Sequence, residues 1–226
     1  TGEAAAALRR LGLEEKMLSH KFPVKHGVRV FGTSSWFIPV ARRDENWNLH
    51  PASTWQVRRS TFDAMMLDEA QKRGAKLVRG TAKKALRAAD GSVRGVTMQR
   101  PDGSSGDIEA EVVLDCSGMA TFLANQKVTG PKYLGSYDKQ IAFFTHVKGA
   151  LRDSGTSGEM ARDNTLIFYQ KKYHWAWLIP VDDEVVSLGI VVPTAEFLKH
   201  KQDPEQFFRS YLPKVNPEIA RRTEQI

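Results

Sequence analysis

The sequence predicts a mixed α/β fold in which a helix-bearing α/β part is joined to an antiparallel sheet. Three observations carry that prediction. Residues 54–79 read as strand, capped helix, glycine stop and strand, and residues 141–192 read as four alternating strands. A chain of 226 residues with 41% hydrophobic side chains can also bury a core of domain size. The same composition excludes other classes. A single cysteine, Cys116, makes neither an internal disulfide nor a cysteine-based zinc site. No window approaches the roughly 18 apolar residues of a membrane span and no signal peptide opens the chain, so a cytoplasmic protein without a span is expected.

Each element has its own signal. Gly2 to His20 reads as one helix, with Ala4 to Ala7 as helix formers, Leu8, Leu11, Leu13 and Met17 as apolar positions, and Pro23 ending the segment. Val24 to Phe31 alternates as a strand does, with Val24, His26, Val28 and Val30 set against Lys25, Gly27, Arg29 and Phe31. Trp36 to Val40 is a second short apolar run, and the polar stretch Arg42 to Ser53 is a loop. Thr54 to Val57 opens the strand–helix–strand unit. Ser60 is the helix N-cap with Asp63 three residues on; Phe62, Met65, Met66 and Ala70 share a face, Lys72 and Arg73 suit the C-terminus, and Gly74 is the stop. Lys76 to Arg79 begins the next strand.

Ala82 to Ala88, Val93 to Gln99 and Ile108 to Ala110 follow as short strands, with Asp90-Gly91 and Asp102-Gly103 at their turns. Glu111 to Asp115 reads as a buried strand running into Cys116-Ser117-Gly118, where Cys116 is a small buried hydrophobe, and Met119 to Asn125 begins a helix. From Ile141 the pattern becomes an antiparallel meander of Ile141 to Val147, Leu166 to Gln170, Trp175 to Val181 and Val185 to Val192. The Gly/Ser-rich stretch Gly149 to Gly158 is expected to be flexible. Thr194 caps a short turn, Asp203-Pro204 opens a helix to Leu212, and Pro217 precedes a last helical stretch.

The net charge of +7 is spread along the chain, and its densest run is Lys72, Arg73, Lys76, Arg79, Lys83, Lys84 and Arg87. Without interleaved aromatics or a reading motif, that run is a solvated face, and no nucleic-acid partner is expected. The six histidines show no ligand spacing, so no metal site is expected. There is no G-x-G-x-x-G, no Walker loop and no G-x-S-x-G.

Two features remain. Trp175-Ala176-Trp177-Leu178-Ile179-Pro180 fits W-x-W-x-I-P, and on a strand Trp175, Trp177 and Ile179 share one face while Ala176 and Leu178 share the other. The bland account is a sheet core rich in aromatics; the alternative is a rigid apolar wall. In Phe22-Pro23-Val24-Lys25-His26-Gly27, a lysine stands between strand apolars ahead of a close-packing glycine. It is either an edge-strand lysine facing water or a desolvated, hydrogen-bonding ammonium.

Together these stretches resemble the flavin-dependent halogenases, within the wider class of FAD monooxygenases with the hydroxybenzoate-hydroxylase type of fold. Gly2-Glu3 is similar to that family's G-E segment. Trp55-Gln56-Val57-Arg58-Arg59-Ser60-Thr61-Phe62-Asp63 is similar to its approach to an FAD-domain helix, and Leu114-Asp115-Cys116-Ser117-Gly118-Met119 to its D-x-S/T-G strand end. The resemblance implies a partial FAD-binding domain plus an antiparallel-sheet substrate-side domain. Residues 1–20 would be an FAD-domain helix, 21–54 substrate-side strands and loop, 55–126 part of the FAD domain, and 127–226 the substrate-side sheet with its C-terminal helices.

The resemblance further implies that reduced FAD, O2 and halide give hypohalous acid, which passes through a tunnel to an electron-rich aromatic. Lys25 would hydrogen-bond it or form a chloramine. Trp175, Trp177, Ile179 and Pro180 would be the wall between flavin and substrate, and Arg59, Ala82, Asp115 and Gly118 would contact the cofactor. A flavin reductase is the implied partner. The Phe22-x-x-Lys25 spacing leans toward the branch acting on phenols or pyrroles, small or bound to an acyl carrier. The motif order, with no phosphate fingerprint before Thr1 and no later G-D segment, implies a piece of a longer flavoenzyme. A related FAD hydroxylase or reductase, and a non-catalytic fragment docking an acidic partner, stay open at this point.

Overall fold

Where the alanine-rich opening predicts one helix, two form: α1 (Gly2–Arg10), capped by Thr1, and α2 (Glu14–Ser19). Gly12, at φ +70°, makes the break. The N–H groups of Gly12 and Leu13 return to the carbonyls of Arg9 and Leu8, the pairing of a Schellman stop. The computed structural model describes residues 1–133, 135 and 139–226. The predicted strand Val24–Phe31 is likewise two, β1 (Val24–Lys25) and β2 (Gly27–Phe31), because the chain changes sheets at His26. β3 (Ser35–Pro39) pairs back along β2.

Residues 42–53, expected as a loop, instead form the hairpin β4 (Ala41–Arg43) and β5 (Leu49–Pro51). Its turn is organised by the Asp44 carboxylate, which accepts from the N–H groups of Asn46 and Asn48. His50 also bonds that carboxylate, and these contacts hold Asp44 down to a pKa of about 2. β6 (Thr54–Trp55) pairs with β1. α3 (Arg59–Lys72) begins at Arg59, so Ser60 lies inside the first turn rather than capping it. Met65 is its buried residue and Gly74, at φ +98°, stops it as expected.

β7 (Thr81–Arg87), β8 (Val93–Gln99) and β9 (Ser105–Glu109) follow, then α4 (Phe122–Asn125). The last part holds β10 (Gln140–Lys148), β11 (Thr165–Lys171), β12 (His174–Pro180) and β13 (Val185–Pro193). It ends with α5 (Thr194–His200), α6 (Pro204–Val215) and α7 (Pro217–Arg222). Asp203 caps α6 as expected, accepting from the N–H groups of Glu205 and Gln206; Thr194 makes no side-chain cap.

Two compact units divide the chain: Thr1–Met65 with Asp138–Ile226, and Met66–Tyr137. In the first, a six-stranded sheet runs in the order β10-β13-β12-β11-β2-β3. It is not a pure antiparallel meander, since β10 pairs with β13 and β2 joins β11 in parallel. One face is the core. Leu166, Phe168, Ala176, Leu178, Leu188 and Ile190 pack there with Phe207, Tyr211, Leu212 and Val215 of α6 and Ile219 of α7. The stretch Gly149–Gly158 is anchored rather than free. Leu151 donates its N–H to Arg222, and buried Asp153 takes ion pairs from Arg222 at 2.6 Å and Arg29 at 3.3 Å.

The second unit is built on the antiparallel sheet β7-β8-β9. Ala85, Met98 and Leu123 are its buried apolar residues. Gln126 ties α4 to β7, accepting from Ala85 and donating to Lys83. The strands expected at Lys76–Arg79 and Glu111–Asp115 are not formed. Leu77, Val78, Val112 and Leu114 are exposed, the last two at 73% and 80%. A run with both faces apolar becomes a strand only against neighbours on its edges and faces, and the described residues supply none. Cys116, expected to be buried, is exposed for the same reason. No helix among the described residues is long and apolar enough to cross a membrane.

One buried pair gives the fold a pH dependence. His174, buried at the start of β12, shares a 2.6 Å hydrogen bond with Tyr211. Burial, then the nearby Lys171, lowers its pKa from the ordinary 6.5. Below that pH the unfolded chain takes up a proton that the folded chain resists, so stability falls as pH drops. We expect the melting temperature to decline from pH 7 to about pH 5, and His174→Gln to flatten that decline.

Candidate functional site

Lys25 lies at the strand end where the chain leaves one sheet for another. Its backbone pairs with Thr54 across β1–β6. The Gln56 N–H donates to the carbonyl of Pro23, and the Val40 N–H to that of His26. The next residue must be glycine, because a Cβ at Gly27 would overlap the ring of Phe37 and the carbonyl of Ile38. The Lys25 side chain is half-buried. Among the described residues no carboxylate pairs with it, and desolvation lowers its pKa below the ordinary lysine value.

The backbone beside Lys25 is fixed from a distant point of the chain. Asn164, 1% exposed, accepts from the N–H groups of His26 (3.2 Å) and Gly27 (2.8 Å) through its amide oxygen. Thr165, next in sequence and first in β11, donates its hydroxyl to the Gln56 side chain, whose amide in turn donates to the carbonyl of Asp163.

The tryptophan motif forms β12 and alternates as expected. Ala176 and Leu178 are wholly buried in the core, while Trp175, Trp177 and Ile179 stand half-buried on the opposite face. Among the described residues, the two indoles thus lie outside the core that α6 and α7 cover. Pro180 departs from its expected grouping, since it sits on the buried side of the strand with Ala176 and Leu178. The two indole rings lie 5.8 Å apart. Tyr169 of β11 continues the stripe at 6.4 Å from Trp175, and Phe144 of β10 continues it at 6.2 Å from Trp177.

The stripe crosses four strands because β13 offers a gap. Gly189 is the cross-strand partner of both Trp177 and Phe144, and a Cβ there would overlap the Trp177 indole. The indole N–H is satisfied by the Ser187 hydroxyl at 3.1 Å. Gly189, Ser187, Phe144, Tyr169 and Asn164 carry no local sequence signal for these roles, which arise only from cross-strand register.

The four expected cofactor residues divide between the two compact units, Arg59 in the first and Ala82, Asp115 and Gly118 in the second. The Arg59 guanidinium is exposed and bonded to Asp63 one turn on. Ala82 lies exposed in β7 opposite Met98. Asp115 accepts from the N–H groups of Ser117 and Leu123, and with the Ser117 hydroxyl these bonds hold its carboxyl below the ordinary range. Gly118, at φ +59°, holds the left-handed backbone conformation that favours glycine. The sequence itself holds no G-x-G-x-x-G, the glycine-rich turn that cradles a dinucleotide phosphate at a helix N-terminus.

A family model described as tryptophan halogenase matches residues 30–217. The 1H-pyrrole-2-carbonyl-(peptidyl-carrier protein) brominase of Pseudoalteromonas luteoviolacea (strain 2ta16) is 36% identical over 225 residues, covering 98% of this chain and 52% of that protein. The tryptophan 2-halogenase of Chondromyces crocatus is 29% identical over 195 residues, covering 85% and 35%. The solved structure of the flavin-dependent brominase Bmp2 superposes with a TM-score of 0.86 at 33% identity, covering all of this chain and 53% of that one. The chain thus spans about half the length, or less, of the curated relatives it matches.

The packing of Trp177 on Gly189 is directly testable. Gly189→Ala should cost about 1–3 kcal/mol by overpacking, read by denaturant unfolding. It should also weaken the near-ultraviolet circular dichroism of the Trp175–Trp177 pair.

Proposed function

The chain belongs to the tryptophan halogenase family, and from that membership we propose that the full-length protein places chlorine or bromine on an electron-rich aromatic ring. The ring is of the phenol or pyrrole type, free or carrier-tethered. The carrier-tethered pyrrole is supported by the Pseudoalteromonas relative, whose own name describes such a substrate. The family resemblance implies FAD, which when reduced would with O2 and halide supply oxidised halogen as hypohalous acid; the similar Bmp2 is a flavin-dependent brominase. A separate flavin reductase is the partner that would deliver the reduced FAD.

The observation that carries the reading is Lys25: a half-buried ammonium, unpaired with any described carboxylate, in the same compact unit as the aromatic stripe. Its role follows from what hypohalous acid needs. The Lys25 ammonium donates a hydrogen bond, then its proton, to the oxygen of the acid as the aromatic carbon attacks the halogen. The carbon–halogen bond forms, the oxygen–halogen bond breaks, and oxygen leaves as water. The proton then lost from the ring carbon restores the ammonium, so one ring hydrogen is exchanged for one halogen. Trp175, Trp177 and Ile179 keep water and loose substrate from the oxidant on the way. Pro180, from the other side of the strand, stiffens the end of that wall.

Lys25→Ala in the full-length protein should abolish halogenated product while flavin oxidation proceeds; product at the wild-type rate removes Lys25 from the mechanism. The donor must be protonated and its pKa is lowered. Halogenation should therefore fall, as pH rises, at a pH below the ordinary lysine value of 10.5. Trp175→Ala should leave the fold intact and release free hypohalous acid, detected by a thiol or dye trap. Unchanged product per O2 consumed counts against the wall.

A further inference from the structure

We propose that Asn164 is a positioning residue for Lys25, a role that rests on the lysine chemistry proposed above. The geometry is specific. The N–H of His26 belongs to the peptide group that carries the carbonyl of Lys25, and it points at the Asn164 amide oxygen at 3.2 Å; the N–H of Gly27 reaches the same oxygen at 2.8 Å. The Asn164 amide nitrogen spends its two hydrogens on the carbonyls of Gly158 (2.8 Å) and Glu159 (3.1 Å). Two acceptor sites and two donors are all that an asparagine side chain offers, so every one is used. Reversing the amide would set its N–H groups against two backbone N–H groups, so the network fixes its orientation.

Seen from Lys25, the clamp completes a set. Thr54 pairs with its backbone on one side, and Asn164 fixes the peptide plane that follows. The lysine then searches only its own side-chain rotamers. The loop that anchors Asn164 is itself held to β2, where Arg29 ion-pairs with Glu159 and Asp153, each at 3.3 Å. A buried side chain with four partners at a sheet junction costs far more to lose than one surface bond. Small misplacements of a reacting group reduce rates steeply.

The test uses the full-length protein and reads two quantities. In Asn164→Ala, halogenated product per O2 consumed should fall about tenfold or more, with flavin oxidation retained. Independently, and without flavin, the Lys25 resonance of the ¹³C-dimethylated protein, assigned by Lys25→Arg, should titrate nearer the ordinary lysine range as the strand end loosens into water. A folded Asn164→Ala protein with wild-type coupling and unchanged Lys25 titration overturns the proposal. Should Asn164→Ala fail to fold, Asn164→Asp preserves the shape. Protonated, it still donates to one carbonyl; ionised, it repels both. Its coupling should then approach wild type at low pH and decline as pH rises, and a profile parallel to wild type overturns the proposal. If Lys25→Ala halogenates normally, the reading of Lys25 fails, while the Lys25 titration in Asn164→Ala still decides whether Asn164 sets its environment.

Discussion

The parallel pairing of β2 with β11 is the joint on which the larger unit depends. Val28 to Phe31 lie in register with Thr165 to Phe168, so the whole stretch from Gly32 to Asn164 is the connection between two adjacent strands. Parallel neighbours cannot be joined by a tight turn, and closing a connection this long is entropically costly but only slowly more so with length. Side chains secure the joint. Phe31 stacks on Phe168 at 5.1 Å, Arg29 reaches Asp153, and Asn164 holds the N–H groups of His26 and Gly27. Through this one pairing, a lysine near the start of the chain and a tryptophan strand 150 residues later become parts of one structure.

The sheet that results has two unlike faces. Helices α6 and α7 cover one side, where Phe168, Leu178, Ile190 and Phe207 are completely or almost completely buried. The other side carries Tyr169, Trp175, Trp177 and Phe144, whose ring centroids follow one another at 6.4, 5.8 and 6.2 Å in tilted pairs. Strand alternation alone creates the division. Each residue that sends an aliphatic group to the core sends its neighbour to the aromatic side. What makes the aromatic side continuous is a subtraction, the missing side chain of Gly189, and a polar anchor, the Ser187 hydroxyl that takes the Trp177 N–H.

How much of this was legible in the sequence depended on the range of the interaction. Local devices were read correctly. The Gly74 stop, the Asp203 cap, the strands Val93–Gln99 and Trp175–Val181 and the alternation of the tryptophan motif rest on contacts a few residues apart. Errors arose where distant partners decide. The single strand Val24–Phe31 is two because Thr54 and Thr165 recruit its halves into different sheets, whereas the break at Gly12 is a local stop hidden by the apolar spacing around it. Lys76–Arg79 and Glu111–Asp115 have strand composition, but pattern alone cannot supply the neighbours a doubly apolar strand requires. The lysine and the tryptophan strand stand out in the residues themselves, and the roles expected of them come from the family resemblance. Asn164 and Gly189 matter only through partners in other strands, and no single-sequence pattern marks them.

Both parts of the candidate site go against what folding alone favours. An ammonium half-withdrawn from water with no described carboxylate to meet it is destabilised as a charge, and its lowered pKa is the direct expression of that. Indole rings left half-exposed forgo burial that the opposite face of the same sheet could have given them. Neither feature strengthens the fold, whereas the elements around them do: the dry interface with α6 and α7, the filled valences of Asn164, and the Arg222–Asp153 pair buried beneath the loop. Local rules broken in a surrounding that otherwise obeys them are where functional or strained sites are expected. Under the function proposed above, a lysine that protonates an oxidant would work with a depressed affinity for its proton and a fixed direction. The strand end supplies the first by burial and the second by the peptide plane it is held in.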